Sequence, residues 1–222
     1  ILLNVRDLSS GKVLAARLLP SQCMAAVLRV LRELFAVHGR PLVIKCDNGP
    51  EFAGLCVQED LKAEGVVQLF SPAYYPQYNG SCEAGGGGVM CRAGEIADAL
   101  GRPGELDQDI LEAARLQGNA STRRQRPSPD AEWLQRQPIT AGERTAFLQL
   151  VEREQRRVQK ELQEIAESLK ESRGRKENEQ RETGKEIDVA GKSARIGIER
   201  ALACAGILQV RRSRFPIPKK PR

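Results

Sequence analysis

KCDNGPEF at residues 45–52 and SPAYYPQYNGSCE at residues 71–83 bracket the stretch whose reading decides the fold. Ahead of Asp47, the apolar residues Leu42, Val43, Ile44 and Cys46 read as a short buried strand. Asp47 therefore stands at a strand's carboxyl end, where ligands gather in α/β sheets. Asn48, Gly49 and Pro50 punctuate a turn. Residues 52–64 then read as a helix and 66–70 as the next strand. Residues 71–80 hold two prolines, one glycine and three tyrosines, a composition that suits an extended loop, either bordering a DNA strand or packed onto the domain. Glu83 begins the following helix. With 35 residues between them, Asp47 and Glu83 can meet across the top of a sheet. Hard divalent cations such as Mg²⁺ or Mn²⁺ prefer oxygen ligands and keep several waters, so two or three carboxylates there suit a metal site.

These two motifs and their interval resemble those around the second and third acidic residues of retroviral integrase and bacterial DDE transposase catalytic cores. The resemblance covers roughly residues 1–125 and implies an α/β, ribonuclease H-like integrase core. It also implies metal-dependent DNA cleavage and strand transfer, as in DNA integration, recombination and transposition of a mobile element. Asp47 and Glu83 would be the catalytic metal ligands, and Asn48, Tyr75, Gln77 and Asn79 would contact DNA. In two-metal phosphoryl transfer one ion activates the attacking water or 3′-hydroxyl and the other stabilises the leaving oxygen.

Residues 1–7, the turn at 8–11 and residues 12–19 match the family's second and third strands. Asp7 then corresponds to the hairpin Asp, and the first catalytic carboxylate is expected upstream of Ile1. In the implied fold the strand that carries it is central, between the hairpin and the two parallel strands. A core lacking that first strand would leave unpaired backbone groups on both flanks and would be inactive as it stands. Its catalytic helix departs from the family in carrying four consecutive glycines, Gly85 to Gly88, each costing about 1 kcal/mol of helix propensity relative to Ala. The same-face positions after Glu83 are Gly86, Gly87 and Met90, none of them basic. Two alternatives stay open: a catalytically inactive DNA-binding remnant of a transposable element, and a structure-selective nuclease on the same fold.

The remaining chain is organised by charge. At 222 residues and 41% hydrophobic content, it can bury one domain-sized core, aliphatic because aromatics are only 4%. No apolar run approaches the roughly 20 residues that span a bilayer. The six cysteines show no C-x-x-C pairing and His38 is the single histidine, so no zinc cluster is expected and the thiols read as reduced and mostly buried, in a cytoplasmic protein. His38 is expected at the carboxyl end of a helix over 21–37, interacting with its last carbonyls and dipole. Another helix is expected at 105–122.

RRQRPSPDAEWLQRQPIT at residues 123–140 resembles the segment after the core of bacterial insertion-sequence transposases, which makes 126–139 a docking segment and Trp133 its docking residue. Arg124 and Arg126, beside Arg123, read as a DNA-backbone contact or as a solvated loop. Residues 140–170 form an amphipathic helix carrying Phe147, Leu148, Val151, Val158, Leu162, Ile165 and Leu169, either an oligomer contact or a solvated strut. Residues 171–187 read as a charged linker. The last segment, 188–222, reads as a small helix-strand module whose tail supplies the whole net charge of +6. Arg211, Arg212, Arg214, Lys219 and Lys220 there are candidates for nonspecific nucleic-acid binding.

Overall fold

A computed structural model describes residues 1–21, 23–72, 76–173 and 180–208. The chain divides into two compact units, Ile1–Ala141 and Gly142–Arg222.

The first unit opens with an antiparallel hairpin of β1 (Leu2–Arg6) and β2 (Val13–Leu18). Its turn is held by the Asp7 carboxylate, which accepts from the Ser10 backbone N–H at 2.7 Å and from the Ser10 hydroxyl at 2.6 Å. Helix α1 (Met24–His38) follows, then β3 (Val43–Cys46), the short α2 (Pro50–Ala53), α3 (Leu55–Ala63) and β4 (Val67–Phe70). β3 and β4 pair in parallel, from Val43↔Val67 to Cys46↔Phe70. The strand-helix-strand order around Asp47 is thus present. The helix expected over 52–64 is interrupted at Gly54, whose backbone is extended at φ −66° and ψ 141°. The Met24 sulfur occupies the space where a Cβ on Gly54 would stand.

The hairpin and the parallel pair are separate two-stranded sheets, and no ladder joins β1 to β3. They nevertheless share one core. Leu3, Ala15 and Leu19 from the hairpin pack with Val27, Val30 and Leu31 of α1 and with Val57, Leu61 and Val66, while Val5 and Ile44 lie against the same cluster. The other face of the hairpin is covered by α4 (Gly80–Ala99), which follows a 3-10 turn at Pro76–Asn79, and by α5 (Gln108–Ala120). Val89, Ala93 and Ala97 of α4 interlock with Ile110, Leu111 and Ala114 of α5 over Val13 and Ala16. This packing holds α4 helical through all four glycines.

Helix α5 also closes the outer edge of β2. Asn119 accepts from the Val13 N–H at 2.9 Å and donates to the Val13 carbonyl at 2.8 Å, and Gln108 makes the equivalent pair of bonds to Leu18 N–H and Ala16 O, at 3.0 and 2.9 Å. Side-chain amides stand in for a neighbouring strand. Residues beyond α5 turn through Arg123–Arg126 into α6 (Pro129–Leu134), capped by Ser128. Trp133 docks there. Its ring meets His38 edge-on at 5.5 Å between centroids, with Arg136 stacked at 3.7 Å and Lys12 at 5.8 Å. His38 therefore packs in the domain, and burial together with the Lys12, Arg136 and Arg115 charges lowers its pKa. A dominant interaction with the helix dipole would have raised it.

In the second unit, α7 (Ala141–Arg173) buries Phe147, Val151 and Val158, and α8 (Gln180–Cys204) buries Ile198, Ala201 and Leu202. Leu148 and Leu162 are half-buried and Ile165 is exposed. The two helices touch at Gly197, where a Cβ would stand 2.6 Å from Gln155 Cα, and Arg200 grips Glu161 through two hydrogen bonds of 3.0 and 2.8 Å. Helix α8 begins within the stretch read as a linker, whose Glu, Lys, Arg and Gln residues are good helix formers despite lacking an apolar stripe. Ile207 and Leu208 lie in no strand, and the rest of the expected strand and the basic tail lie outside the described residues. All six cysteines are free, but only Cys46 is buried, and Cys23, Cys56, Cys91 and Cys204 are exposed. No helix among the described residues is long and apolar enough to cross a membrane.

Candidate active site

Asp47 follows the last residue of β3 and is exposed, with Oδ1 accepting from the Gly49 N–H at 3.0 Å. Glu83 lies in the first turn of α4, also exposed, where the helix dipole favours a carboxylate. Among the described residues it has no hydrogen-bond or ion-pair partner. The two elements that carry these carboxylates are fastened together by Ser71, just past β4. Its backbone N–H donates to the Cys46 carbonyl at 2.9 Å, and its hydroxyl lies 3.0 Å from that carbonyl and 2.6 Å from Asn79 Oδ1. One hydroxyl proton serves one acceptor. With the Asn79 amide turned so that its NH₂ donates to Ser71, all three groups are satisfied. Asn48 Nδ2 donates to the Ser71 carbonyl at 2.9 Å from the other side.

The start of α4 is also tied to both sheets. From β3, Lys45 donates to the Tyr78 carbonyl, and its ammonium stands 4.0 Å from the Tyr78 ring centroid. From β1, Arg6 donates to the Ser81 carbonyl at 2.6 Å and Asn4 to the Cys82 carbonyl at 3.4 Å. Gly85 makes the approach of Arg6 possible. A Cβ on Gly85 would stand 2.8 Å from Arg6 Cδ, and one on Gly86 would stand 3.6 Å from Asn4 Nδ2. Positive charge therefore reaches the start of α4 from β1 and β3, although its own sequence offers none on the face of Glu83. Arg6, Lys45 and Ser71 are the residues that sequence reasoning missed. Ser71 sat inside the second motif, but its bonds reach across 25 residues to Cys46.

Beside Asp47, burial pushes the Cys46 thiol up to about 11, with the Asp47 charge adding and the Gln68 hydrogen bond opposing. A thiol held protonated is no nucleophile. The candidate metal ligands, Asp47 and Glu83, are both exposed carboxylates, the hard oxygen donors that a magnesium-type ion takes. Among the described residues no cluster of three or more His, Cys, Asp or Glu side chains is placed to hold a metal.

The other candidates are distributed differently. Asn48 and Asn79 are bonded within the fold, as described. Arg126 pairs with Glu132 at 2.7 Å and donates to Ser9 O at 3.2 Å, while Arg124 is exposed. Tyr75, Arg211, Arg212, Arg214, Lys219 and Lys220 lie outside the described residues, as does the side chain of Gln77.

A chain of the simian T-cell lymphotropic virus intasome, solved in complex with PP2A regulatory subunit B56 gamma, superposes on this protein with a TM-score of 0.54. The fold is integrase-like. Identity is 18%, over 63% of this chain and 55% of that one, so the chain matches about half the length of this neighbour. The BIV integrase catalytic core gives a TM-score of 0.49 at 19% identity, over 60% of this chain and 91% of that chain. The HTLV-2 integrase catalytic core in complex with magnesium, in its trimeric form, gives 0.48 at 15%, over 59% and 90%. Neither a protein-family model nor a curated protein matches the sequence.

Proposed function

We propose that this chain is an integrase-type DNA-processing core of a transposable element, in which Asp47 and Glu83 hold Mg²⁺ or Mn²⁺ for DNA cleavage and strand transfer. The observation that carries this reading is the fastening of β3's end to α4's start through Cys46, Ser71 and Asn79. It ties together the two segments that bear the carboxylates. A divalent ion bound there would supply Lewis-acid polarisation of a phosphodiester and a nucleophilic water or hydroxyl. Within the protein, Asp47 and Glu83 contribute anionic oxygens, the Gly49 N–H orients Asp47, and Lys45 brings a positive charge close to the start of α4.

The open seam between β1 and β3 supports a further element of this reading. One additional strand there would complete a single sheet on the shared core and bring the third carboxylate. Self-association in a DNA complex is part of the same proposal.

The test is a supercoiled-plasmid nicking and strand-transfer assay on the 222-residue chain and on a version extended by an Asp-bearing strand designed to pair between β1 and β3. The 222-residue chain by itself is expected to be inert. The extended protein gains Mg²⁺-dependent activity, and Asp47→Asn or Glu83→Gln removes it. A second reading, an inactive DNA-binding remnant, is favoured by the lack of a basic residue on α4's Glu83 face. It prevails if the extended, folded protein binds DNA without cutting it.

A further inference from the structure

The turn between β1 and β2 gathers arginines that the proposed metal site does not use. Arg6 donates through Nε to the Gly11 carbonyl at 3.0 Å and through Nη1 to the Ser81 carbonyl at 2.6 Å. Arg123 donates through Nε and Nη2 to the Pro127 carbonyl at 3.2 and 3.1 Å, and its Nη2 stands 3.1 Å from the Glu132 carboxylate. Each guanidinium is thus locked by backbone carbonyls, with one terminal nitrogen left over. Those two nitrogens, Arg6 Nη2 and Arg123 Nη1, lie 3.0 and 2.8 Å from the point where a Cβ on Gly11 would stand. Among the described residues neither has an acceptor.

Nearby acids balance them only in part. Asp7 is engaged by Ser10, Asp130 by Lys12 at 2.7 Å, and Glu132 is shared between Arg123 and Arg126. Arg6 has no carboxylate partner among the described residues. Two glycines keep the arrangement open. Gly11 holds a φ of +75° and, having no Cβ, lets both guanidinium groups close on its backbone from one side, and Gly85 lets Arg6 lie against α4.

We propose that Arg6 and Arg123 form a phosphate-binding pair at the hairpin turn, built to clasp one phosphodiester of a nucleic-acid backbone. Planar guanidinium forks match the oxygens of a phosphate, and an anion between them relieves the repulsion of two like charges held at one point. The carbonyl anchors fix both groups before the ligand arrives, so little side-chain entropy is lost on binding. The proposal rests on the reading of the chain as a DNA-processing core, and it adds an anion contact at the hairpin turn beside the start of α4.

The experiment uses the full chain and a fluorescently labelled DNA duplex, with anisotropy read across a series of salt concentrations. Arg6→Gln and Arg123→Gln are each expected to weaken binding about tenfold and to lower the salt slope by about one. Gly85→Ala should weaken binding as Arg6→Gln does, because its methyl group displaces Arg6 while improving helix propensity. Arg32→Gln, which removes an exposed arginine paired with Asp60 on another face, leaves binding unchanged. Circular dichroism confirms that each variant folds. If both single variants keep wild-type affinity and slope, the pair is overturned while the DNA reading stands. A parallel titration with inorganic phosphate follows the arginine Nε–H resonances. If Arg6 and Arg123 shift together but the wild-type chain binds no DNA, the pair is a site for free phosphate and the nucleic-acid source is overturned. If neither resonance moves and neither variant affects DNA binding, no anion site exists.

Discussion

Replacing Asn119 by Ala should destabilise the first unit far more than any exposed polar substitution of the same size. The side chain is 2% exposed and makes both of its bonds to one residue of β2, Val13. After truncation the Val13 carbonyl keeps Arg115 Nη1 at 2.9 Å. The Val13 N–H is left buried with no acceptor. An orphaned buried donor costs about 1–3 kcal/mol, and the void left by the side chain adds about 1 kcal/mol, so Asn119→Ala should cost about 2–4 kcal/mol. Gln108→Ala removes a bond to the exposed Leu18 N–H, where water replaces the amide, and one to the carbonyl of buried Ala16, and should cost less, about 1–2 kcal/mol. Urea unfolding followed by the fluorescence of Trp133, the single tryptophan, reports on this unit. A cost below about 0.5 kcal/mol for Asn119→Ala, or an equal cost for the two variants, would refute the idea that α5 closes the sheet edge with buried amides.

Three further outcomes are expected. Folding lowers the His38 pKa through burial and the surrounding Lys12, Arg136 and Arg115 charges, so the unfolded chain takes up this proton first; the His38 contribution is complete above about pH 6.5 and is lost as pH falls below it. Thermal unfolding across pH 5 to 8 should show that component, and His38→Phe should remove it; an unchanged profile would contradict the assignment. Gly197→Ala should lower the melting temperature read by circular dichroism, because its Cβ would meet the Gln155 backbone at 2.6 and 2.7 Å. Overpacking costs about 1–3 kcal/mol, against about 1 kcal/mol gained from helix propensity, and a more stable variant would show that the helices are not in contact there. Deleting residues 211–222 should flatten the salt dependence of DNA binding, because these cations release phosphate counterions; an unaltered slope would make the tail a solvated extension.

Much of the framework around the candidate site was legible because its signals are local. A short apolar run ending in Asp47, turn residues after it and a helix start at Glu83 are all read within a few residues. What escaped depends on distant partners. The break at Gly54 follows from Met24, some thirty residues earlier in the chain. The glycine run looked too weak for a helix by propensity, yet Val89, Ala93 and Ala97 hold it by packing on α5. The search for a basic residue near Glu83 followed α4 alone, whereas the fold delivers Arg6 from β1 and Lys45 from β3. Helix α8 begins inside a stretch without apolar side chains, where burial gave no periodic signal. The thiols read as buried from residue type, but four stand exposed, since their positions and not their chemistry decide the face they occupy.

The central claim is that Asp47 and Glu83 serve one divalent ion. Paramagnetic broadening by Mn²⁺ tests it without requiring catalysis. In a backbone amide spectrum of the full chain, residues 46–49 and 80–84 should broaden together at the same Mn²⁺ concentration and recover on addition of excess Mg²⁺. Asp47→Asn should protect residues 80–84 as well as its own segment, and Glu83→Gln should protect residues 46–49. If either substitution leaves the other segment broadened as in the wild type, the two carboxylates do not share an ion.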